Sequence, residues 1–200
     1  MNATPPNPPL TPPSAAATKV EVVTKLSRGD LDSLCQAAED AIVAGGGFGW
    51  LKPPRRDLME SYWKGVLLVP DRTLIVGRLD NAIVGSAQLV RPTKNNEAQA
   101  HSAQLTTSFI APWARGHGLA RMIAEGVEAH ARKHGVRILN LDVRETQEAA
   151  ITLYRSLGYH EIGRHPHYAR VNGLYVAGLY FWKDLSSENG NGGNGHGAVK

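Results

Sequence analysis

The sequence contains a single cysteine, no long apolar run and no block of like charge. One cysteine cannot form an internal disulfide, and Cys35 shares a predicted helical face with Leu31, Leu34, Ala38 and Ile42, so we expect it in the core. No stretch approaches the roughly 18 consecutive apolar residues of a membrane span, and no basic-then-apolar signal pattern is present. We therefore expect a cytoplasmic protein.

Composition divides the chain into one domain and two tails. The 200 residues, 42% of them apolar, suffice for one domain with a hydrophobic core. A Pro-rich segment over 1–18 and a Gly/Asn-rich segment over 186–200 are predicted to be disordered, which leaves 19–185 as the globular domain. The net charge is +4, and the basic residues are spread among acidic ones instead of forming a basic block. This charge distribution is compatible with binding a polyanionic small molecule and does not require nucleic acid as a partner.

A glycine-containing loop is the most informative motif. Arg115-Gly116-His117-Gly118-Leu119-Ala120 lies between a strand-like run ending at Pro112 and an amphipathic helix. The first N–H groups of a helix lack intrahelical partners and carry partial positive charge, and glycine permits the positive φ that brings such groups close to phosphate oxygens. The loop therefore predicts a pyrophosphate site. The alternative is a tight strand-to-helix turn with Arg115 in solvent.

Periodicity and turn residues predict alternating strands and helices in a mixed, mostly antiparallel sheet. A hairpin turns at Asp80-Asn81, and glycines end two of the helices. In the helix that follows the loop, polar residues including Glu128 are expected mainly on the side away from the sheet. The predicted strands are 19–26, 73–78, 82–89, 101–110, 137–143, 161–170 and 174–183, and the predicted helices are 30–44 with Ser27 or Asp30 as cap, Pro53 or Pro54 to Leu67, 119 to about 134, and a helix ending at Gly158.

Aromatic and histidine residues suggest binding roles that stay open. The Gly-rich segment at 45–50 lacks the Lys-Ser/Thr pair of a Walker loop, so we interpret it as a loop that displays aromatic side chains. Four aromatic residues in and after this loop are expected either to line an apolar binding pocket or to belong to the core: Phe48, Trp50, Tyr62 and Trp63. His130 and His134 have the spacing of a zinc-binding helix, but Ala131 stands where a metalloprotease has its glutamate, so no metal site is predicted.

Two motifs together resemble a known family. Arg115-x-x-Gly118-x-Ala120 and, after the next strand, Ala150-Ile151-x-Leu153-Tyr154-x-x-Leu157-Gly158-Tyr159 resemble the GNAT superfamily of acetyl-CoA-dependent N-acyltransferases over 19–185. The resemblance implies an α/β (α+β) fold with about six or seven strands, helices on both faces and splayed central parallel strands. The ending Gly163-x-x-Pro166-x-Tyr168 also resembles small-molecule resistance acetyltransferases.

The resemblance also implies roles for residues. Tyr154 matches the tyrosine that protonates the departing thiolate, although it could be a packed aromatic. Gln147 stands where the family commonly has an asparagine near the pantetheine. The pantetheine arm would pair with the backbone at Phe109, Ile110 and Ala111, and the pyrophosphate would be held at Arg115, Gly116, His117, Gly118, Leu119 and Ala120.

The expected reaction is acetyl transfer from acetyl-CoA to a primary amine by direct attack in a ternary complex, without metal. An alkylamine with a pKa near 10.4 is about one part in a thousand neutral near pH 7, so a base should matter. The sequence does not identify this base; the candidates are Asp142, Glu145, His165, His167 and a base that acts through a water chain. The expected acceptor is a small metabolite or antibiotic-like toxin. A protein amine, a non-catalytic acyl-CoA sensor and a homodimer stay open, and neither nucleic acid nor membrane is expected as a partner.

Overall fold

One seven-stranded sheet organises the protein in the computed structural model, which describes residues 16–46 and 48–186. The segments predicted to be disordered fall almost entirely outside these described residues. Among the helices of the described part, none has the length and apolarity needed to cross a membrane. The strands are β1 (Thr18–Val23), β2 (Arg72–Leu79), β3 (Ala82–Val90), β4 (Ser102–Ile110), β5 (Ile138–Arg144), β6 (His160–Val171) and β7 (Leu174–Asp184), and the helices are α1 (Arg28–Val43), α2 (Arg56–Val66), α3 (Leu119–Lys133) and α4 (Glu148–Ser156).

The strands lie in the order β1-β2-β3-β4-β5-β7-β6. Every neighbouring pair is antiparallel except β4 and β5, which are parallel and are connected through α3. The predicted mixed, mostly antiparallel sheet is therefore confirmed. Short 3-10 turns at Glu97–Gln99 and Pro112–Ala114 flank β4.

Local sequence signals set most element boundaries. Ser27 caps α1, because its Oγ accepts the Asp30 N–H while the Asp30 carboxylate accepts the Ser27 N–H. Asp80 and Asn81 adopt φ of 47° and 72°, as the tight turn between β2 and β3 requires. Helix α2 begins at Arg56, later than predicted from Pro53 and Pro54. Lys52 and Pro53 each precede a proline, which disfavours the α conformation, and Arg55 is extended with ψ of 149° as the N-cap of the helix.

Hydrophobic clusters cover both faces of the sheet. Leu74 and Val76 pack in a cluster with α1 and α2, whereas Ile75 between them packs in a second cluster with α3, because successive side chains of a strand alternate between faces. Cys35 is fully buried in the first cluster, and burial raises the pKa of its thiol to about 11. The prediction of a core cysteine is confirmed.

Glu128 corrects the predicted pattern of α3, because it is buried instead of facing solvent. Its carboxylate lies 2.7 Å from Nζ of Lys183 on β7, and Arg132 lies 3.4 Å away on the next turn. Helix α3 therefore has a second contact surface toward the C-terminal strand, which a single hydrophobic stripe does not reveal. Lys183 is itself largely buried, so the pair compensates two charges with little help from water.

Replacing Glu128 should test this buried pair. Glu128→Gln keeps the size of the side chain but leaves the Lys183 ammonium without its counter-charge, so we expect a loss of about 3 kcal/mol in the free energy of unfolding. Glu125→Gln on the same helix is the control, because Glu125 is half exposed and its replacement should change that free energy by less than about 0.5 kcal/mol. Urea denaturation of both variants measures the difference, and equal losses would contradict a stabilising role for the pair.

Candidate functional site

The loop before α3 has the geometry predicted for an anion site. Gly116 and Gly118 adopt φ of 87° and 74°, the left-handed region that glycine reaches without a steric penalty. Gly118 is the N-cap of α3, no side chain caps that end, and the first turn carries no acidic residue. Its N–H groups and the partial positive charge of the helix end are therefore available to an anion. Arg115 is exposed beside them.

The parallel strands β4 and β5 separate next to this loop. Their pairing runs only from Ser102 with Ile138 to Gln104 with Asn140, although both strands continue beyond that point. On its other edge β4 contains an irregularity, with Thr107 at φ 54° and a register shift against β3. The separation leaves one edge of β4 unpaired over its C-terminal half, which confirms the expected splay of the central strands.

A first cavity of about 700 Å³ lies along this gap and reaches the start of α3. Most of the residues predicted to bind the cofactor line it: Phe109, Ile110, Arg115, Gly116, Gly118, Leu119, Ala120 and Gln147. Ala111 and His117 do not. The Ala111 N–H donates to the Val84 carbonyl of β3, and Nδ1 of His117 lies 3.2 Å from the Ala114 carbonyl.

Gln147 joins the first cavity to the loop after α1. Its Nε2 donates to the Gly45 carbonyl at 3.0 Å, although the two residues are far apart in sequence. The side chain thus fastens the Gly-rich loop to the start of α4, where Gln147 is the N-cap residue. This bond uses one of the two N–H groups of Nε2, and no hydrogen bond to the amide oxygen occurs among the described residues.

A second cavity of about 650 Å³ adjoins the first one. It is bounded by the Gly-rich loop, the splayed ends of β4 and β5, and β6. Five residues line both cavities: Gly46, Ser108, Gln147, Ala150 and Tyr154. The two cavities therefore meet around the Tyr154 side chain.

Tyr154 is 5% exposed and packs edge-on against Tyr159, with ring centroids 5.5 Å apart. Burial raises the pKa of its phenol, the negative charge of Asp142 raises it further, and the Ser108 side chain opposes the shift. A raised pKa means that the phenol keeps its proton to higher pH. Chemically, the junction of the cavities offers a neutral proton donor.

The four aromatic residues highlighted in the sequence divide between the cavity and the core. Phe48 and Trp50 line the second cavity, and Phe48 stacks on Phe109 with ring centroids 4.9 Å apart. Trp63 is fully buried, and the Tyr62 hydroxyl accepts a hydrogen bond from the buried Gln88 amide. Only the loop aromatics therefore stand where an acceptor molecule would contact them.

The four candidate bases also differ in position. Asp142 lines the second cavity and accepts a hydrogen bond from the Tyr168 hydroxyl. Glu145 forms an exposed ion pair with Arg164 at 2.7 Å. The two histidines, His165 and His167, are exposed on β6 and line neither cavity.

No cluster of three or more potential metal ligands occurs in the part of the chain that the structure describes. The rings of His130 and His134 pack at a tilt of 34°, with centroids 4.1 Å apart. Burial lowers the pKa of His130, and the neighbouring His134 lowers it further.

Some residues that line the second cavity could not be identified as site residues from the sequence. Ser108 and Thr106 belong to a strand whose irregularity becomes visible only through its pairing, and Arg170 is one polar residue in a mostly polar strand. The positive φ of Thr107, a β-branched residue, is a conformation that sequence patterns do not predict.

Comparisons with known proteins agree with this geometry. The model of the acetyltransferase (GNAT) family matches residues 34–159. The chain is 66% identical over 128 residues to an uncharacterized N-acetyltransferase in the hisH-hisA intergenic region of Azospirillum brasilense, a match that covers 64% of this chain and 76% of that protein.

Solved structures share the fold at low sequence identity. A putative acetyltransferase from Salmonella typhimurium, determined with its cofactor acetyl-CoA, has a TM-score of 0.70 at 14% identity and covers 87% of this chain and 97% of its own. A putative phosphinothricin N-acetyltransferase has a TM-score of 0.71 at 16% identity and covers 86% of this chain and 100% of its own. The family match, the curated relative and the shared fold together establish that this chain belongs to the GNAT family of acetyl-CoA-dependent N-acetyltransferases.

Proposed function

We propose that this enzyme transfers acetyl from acetyl-CoA to the primary amine of a small molecule, by direct attack while both substrates are bound. The observation that carries the proposal is the position of Tyr154, which lines both cavities. One cavity then holds the cofactor and the other the acceptor, and the reacting atoms meet beside the phenol.

The residues that line the first cavity support a role in binding the diphosphate and the pantetheine arm of the cofactor. The uncapped N-terminus of α3, with Gly116 and Gly118, would hold the diphosphate, and Arg115 would add a positive charge. The unpaired edge of β4 at Phe109 and Ile110 would offer its backbone groups to the pantetheine arm. When bound, acetyl-CoA supplies an activated acetyl thioester.

Tyr154 would donate its proton to the departing sulfur. Between a phenol of ordinary pKa about 10 and a thiol of ordinary pKa about 8.5, this transfer costs roughly 2 kcal/mol, and the raised pKa of the buried Tyr154 phenol adds to that cost. The phenol regains its proton from solvent afterwards. Burial favours the neutral phenol and thereby keeps the donor protonated at neutral pH. The Tyr154 side chain lies at the junction where the sulfur end of the cofactor would meet the acceptor.

Direct attack is supported by the position of the cysteine. Cys35 is fully buried on α1, its thiol pKa is raised, and it lines neither cavity. A thiolate nucleophile that carries the acetyl group on the protein is therefore not provided, and the amine attacks the thioester itself.

The acceptor is proposed to be small because of the shape of the second cavity. A volume of about 650 Å³ falls within the usual range of small-molecule sites, and the Gly-rich loop carrying Phe48 and Trp50 borders it. One structural relative is described as a putative phosphinothricin N-acetyltransferase, so this fold is compatible with a small acceptor.

The acceptor class can be tested with an amine panel. We expect the full-length protein to release free coenzyme A thiol from acetyl-CoA in the presence of small primary amines, and more slowly with peptide N-termini or lysine peptides. A thiol-reactive dye measures the release, and mass spectrometry identifies the acetylated product. Preference for peptides would contradict the small-acceptor proposal. Tight acetyl-CoA binding without turnover on any acceptor would contradict the enzymatic proposal for this chain.

Replacing Tyr154 tests its role as proton donor. We expect Tyr154→Phe to lower kcat by about 100-fold, the lower end of the range for general acid catalysis, with little change in the KM for acetyl-CoA. The wild-type pH profile should show no alkaline loss below about pH 10, because the raised pKa keeps the phenol protonated. Tyr159→Phe is the control, since Tyr159 packs against Tyr154 but lines neither cavity. An unchanged kcat in Tyr154→Phe would contradict the role of Tyr154 as proton donor.

Replacing one glycine tests the diphosphate site. Gly116→Ala introduces a Cβ at φ 87° and should shift the loop, which weakens acetyl-CoA binding about tenfold and costs about 1 kcal/mol of stability. Gly135→Ala is matched to it, because Gly135 has φ 77° at the other end of α3 and is equally free of close contacts. We expect a similar stability loss there and unchanged cofactor affinity, measured by calorimetric titration. Equal effects of both variants on affinity would contradict the site.

A further inference from the structure

The second cavity has an excess of positive charge. Among the described residues that line it, two carry a positive charge and one carries a negative charge: Arg144, Arg170 and Asp142. A simple alkylammonium would bring a further positive charge into this space, and like charges repel more strongly in a partly enclosed site than in bulk water. An acceptor that carries its own negative group balances the charge of the cavity.

The turn between β6 and β7 fixes the position of Arg170. Val171 pairs with Leu174, so Asn172 and Gly173 alone join the two strands. These two residues have φ of 50° and 83°, as a type I′ turn requires, and such a turn matches the twist of the strands that it connects. Nε of Arg170 donates to the Gly173 carbonyl at 3.4 Å. The Arg170 side chain is therefore attached to a tight turn through Nε.

The outer end of the Arg170 guanidinium is available to a ligand. Within the described ranges, no hydrogen bond reaches its Nη atoms and no carboxylate forms an ion pair with it. Arg164 on the same strand differs, because it is paired with Glu145 at 2.7 Å. The two Nη groups of a guanidinium form a planar fork that matches the two oxygens of a carboxylate. Arg170 thus offers a carboxylate site in the lining of the second cavity.

The parts of the second cavity differ in exposure. Tyr154 is 5% exposed and lines both cavities, so the junction where the reaction is proposed is enclosed. Arg170 is exposed on the edge strand β6, so its part of the cavity is open to solvent. Phe48 and Trp50 add apolar surface to the same cavity. An acceptor can therefore place its amine in the enclosed part and a charged group in the open part.

We propose that Arg170 binds a carboxylate of the acceptor, which makes the acceptor an amino acid with an apolar side chain. This inference rests on the proposed function and names the acceptor class of the same site. The carboxylate lies on the guanidinium of Arg170, the amine points toward Tyr154, and the apolar group contacts the aromatic rings of the Gly-rich loop. Arg144 adds positive charge to the cavity while its Nη2 donates to the Gly45 carbonyl at 3.0 Å.

Binding to the complex with coenzyme A tests this site without turnover. The acidic probes are phenylalanine, 3-amino-4-phenylbutanoate and 4-amino-5-phenylpentanoate, in which the carboxylate lies progressively farther from the amine. The comparison is 2-phenylethylamine, which has the amine and the ring without the carboxylate. In calorimetric titrations of the full chain saturated with coenzyme A, we expect at least one of the acids to bind at least tenfold more tightly than 2-phenylethylamine. The absence of a preference for any of them would overturn the proposal.

Two variants separate a local contact from the overall charge of the protein. Arg170→Gln should abolish the preference for the acid. Arg164→Gln is the matched control, because it removes the same charge from the same strand at a residue that does not line the cavity, and it should keep the preference. A preference that persists in Arg170→Gln, or that disappears equally in both variants, would contradict a carboxylate site at Arg170.

Kinetics test the same contact during turnover. In Arg170→Gln, kcat/KM for the preferred acid should fall at least tenfold, mainly through a higher KM for the acid. For 2-phenylethylamine kcat/KM should stay within about twofold of the wild-type value, as should the KM for acetyl-CoA. In the wild type, the preference for the acid should weaken as salt rises from about 0.05 M to about 0.5 M, because salt screens an exposed ion pair. Equal losses for the acid and for 2-phenylethylamine would overturn the assignment.

The two proposals fail in different ways. If an acid binds with a preference that depends on Arg170 but no amine is acetylated by the wild type, the proposed function fails and the carboxylate site stands. If small amines are acetylated and the acids are neither bound nor acetylated better than 2-phenylethylamine, the proposed function stands and the role of Arg170 is wrong.

Discussion

The separation of β4 from β5 beyond Gln104 and Asn140 is the constraint on which the site depends. Two parallel strands that stayed paired would satisfy their backbone groups with each other and leave no gap. Here the hydrogen bonds end after three residue pairs, so the C-terminal half of β4 has one unpaired edge, and backbone groups without partners are costly unless water or a ligand satisfies them. The cofactor cavity, the junction at Tyr154 and the second cavity all lie along this gap.

The gap also decides the electrostatics at the junction. Tyr154 projects from α4 into a place where protein surrounds most of the ring, and low polarity keeps its phenol neutral. Asp142 at the splayed end of β5 acts in the same direction, because a nearby negative charge disfavours a phenolate. The end of β5 thus contributes the negative charge of Asp142, and α4 contributes the neutral phenol of Tyr154. Acyl transfer from a thioester to a protonated amine needs a group that accepts a proton and a group that donates one.

The half of the site proposed to bind the cofactor has local sequence signals, so its loop and its helix could be predicted from sequence. Gly116, Gly118 and the helix after them are contiguous, and their backbone angles follow from residue type. Tyr154 could be located through its helical motif. The acceptor half depends on contacts between distant residues: the ring of Tyr168 on Gly178, its bond to Asp142, and the attachment of Gln147 to the Gly-rich loop. None of these has a sequence spacing from which it could be predicted. For the same reason Glu128 was misplaced, since its partner Lys183 lies on the last strand.

This division implies that the two halves of the site tolerate change differently. Substitution in the loop before α3 alters the backbone geometry that is proposed to hold the cofactor, whatever the acceptor is. The second cavity is bordered by the Gly-rich loop and by β6, an edge strand that is exposed along most of its length and pairs only with β7. The exposed side chains of β6 can change size and charge without disturbing either hydrophobic cluster, whereas Phe48 and Trp50 of the loop pack against the first one. Where the register of β6 shifts, the Tyr168 ring packs on Gly178 and its hydroxyl donates to Asp142, so this part of the edge strand is less free to change than the rest.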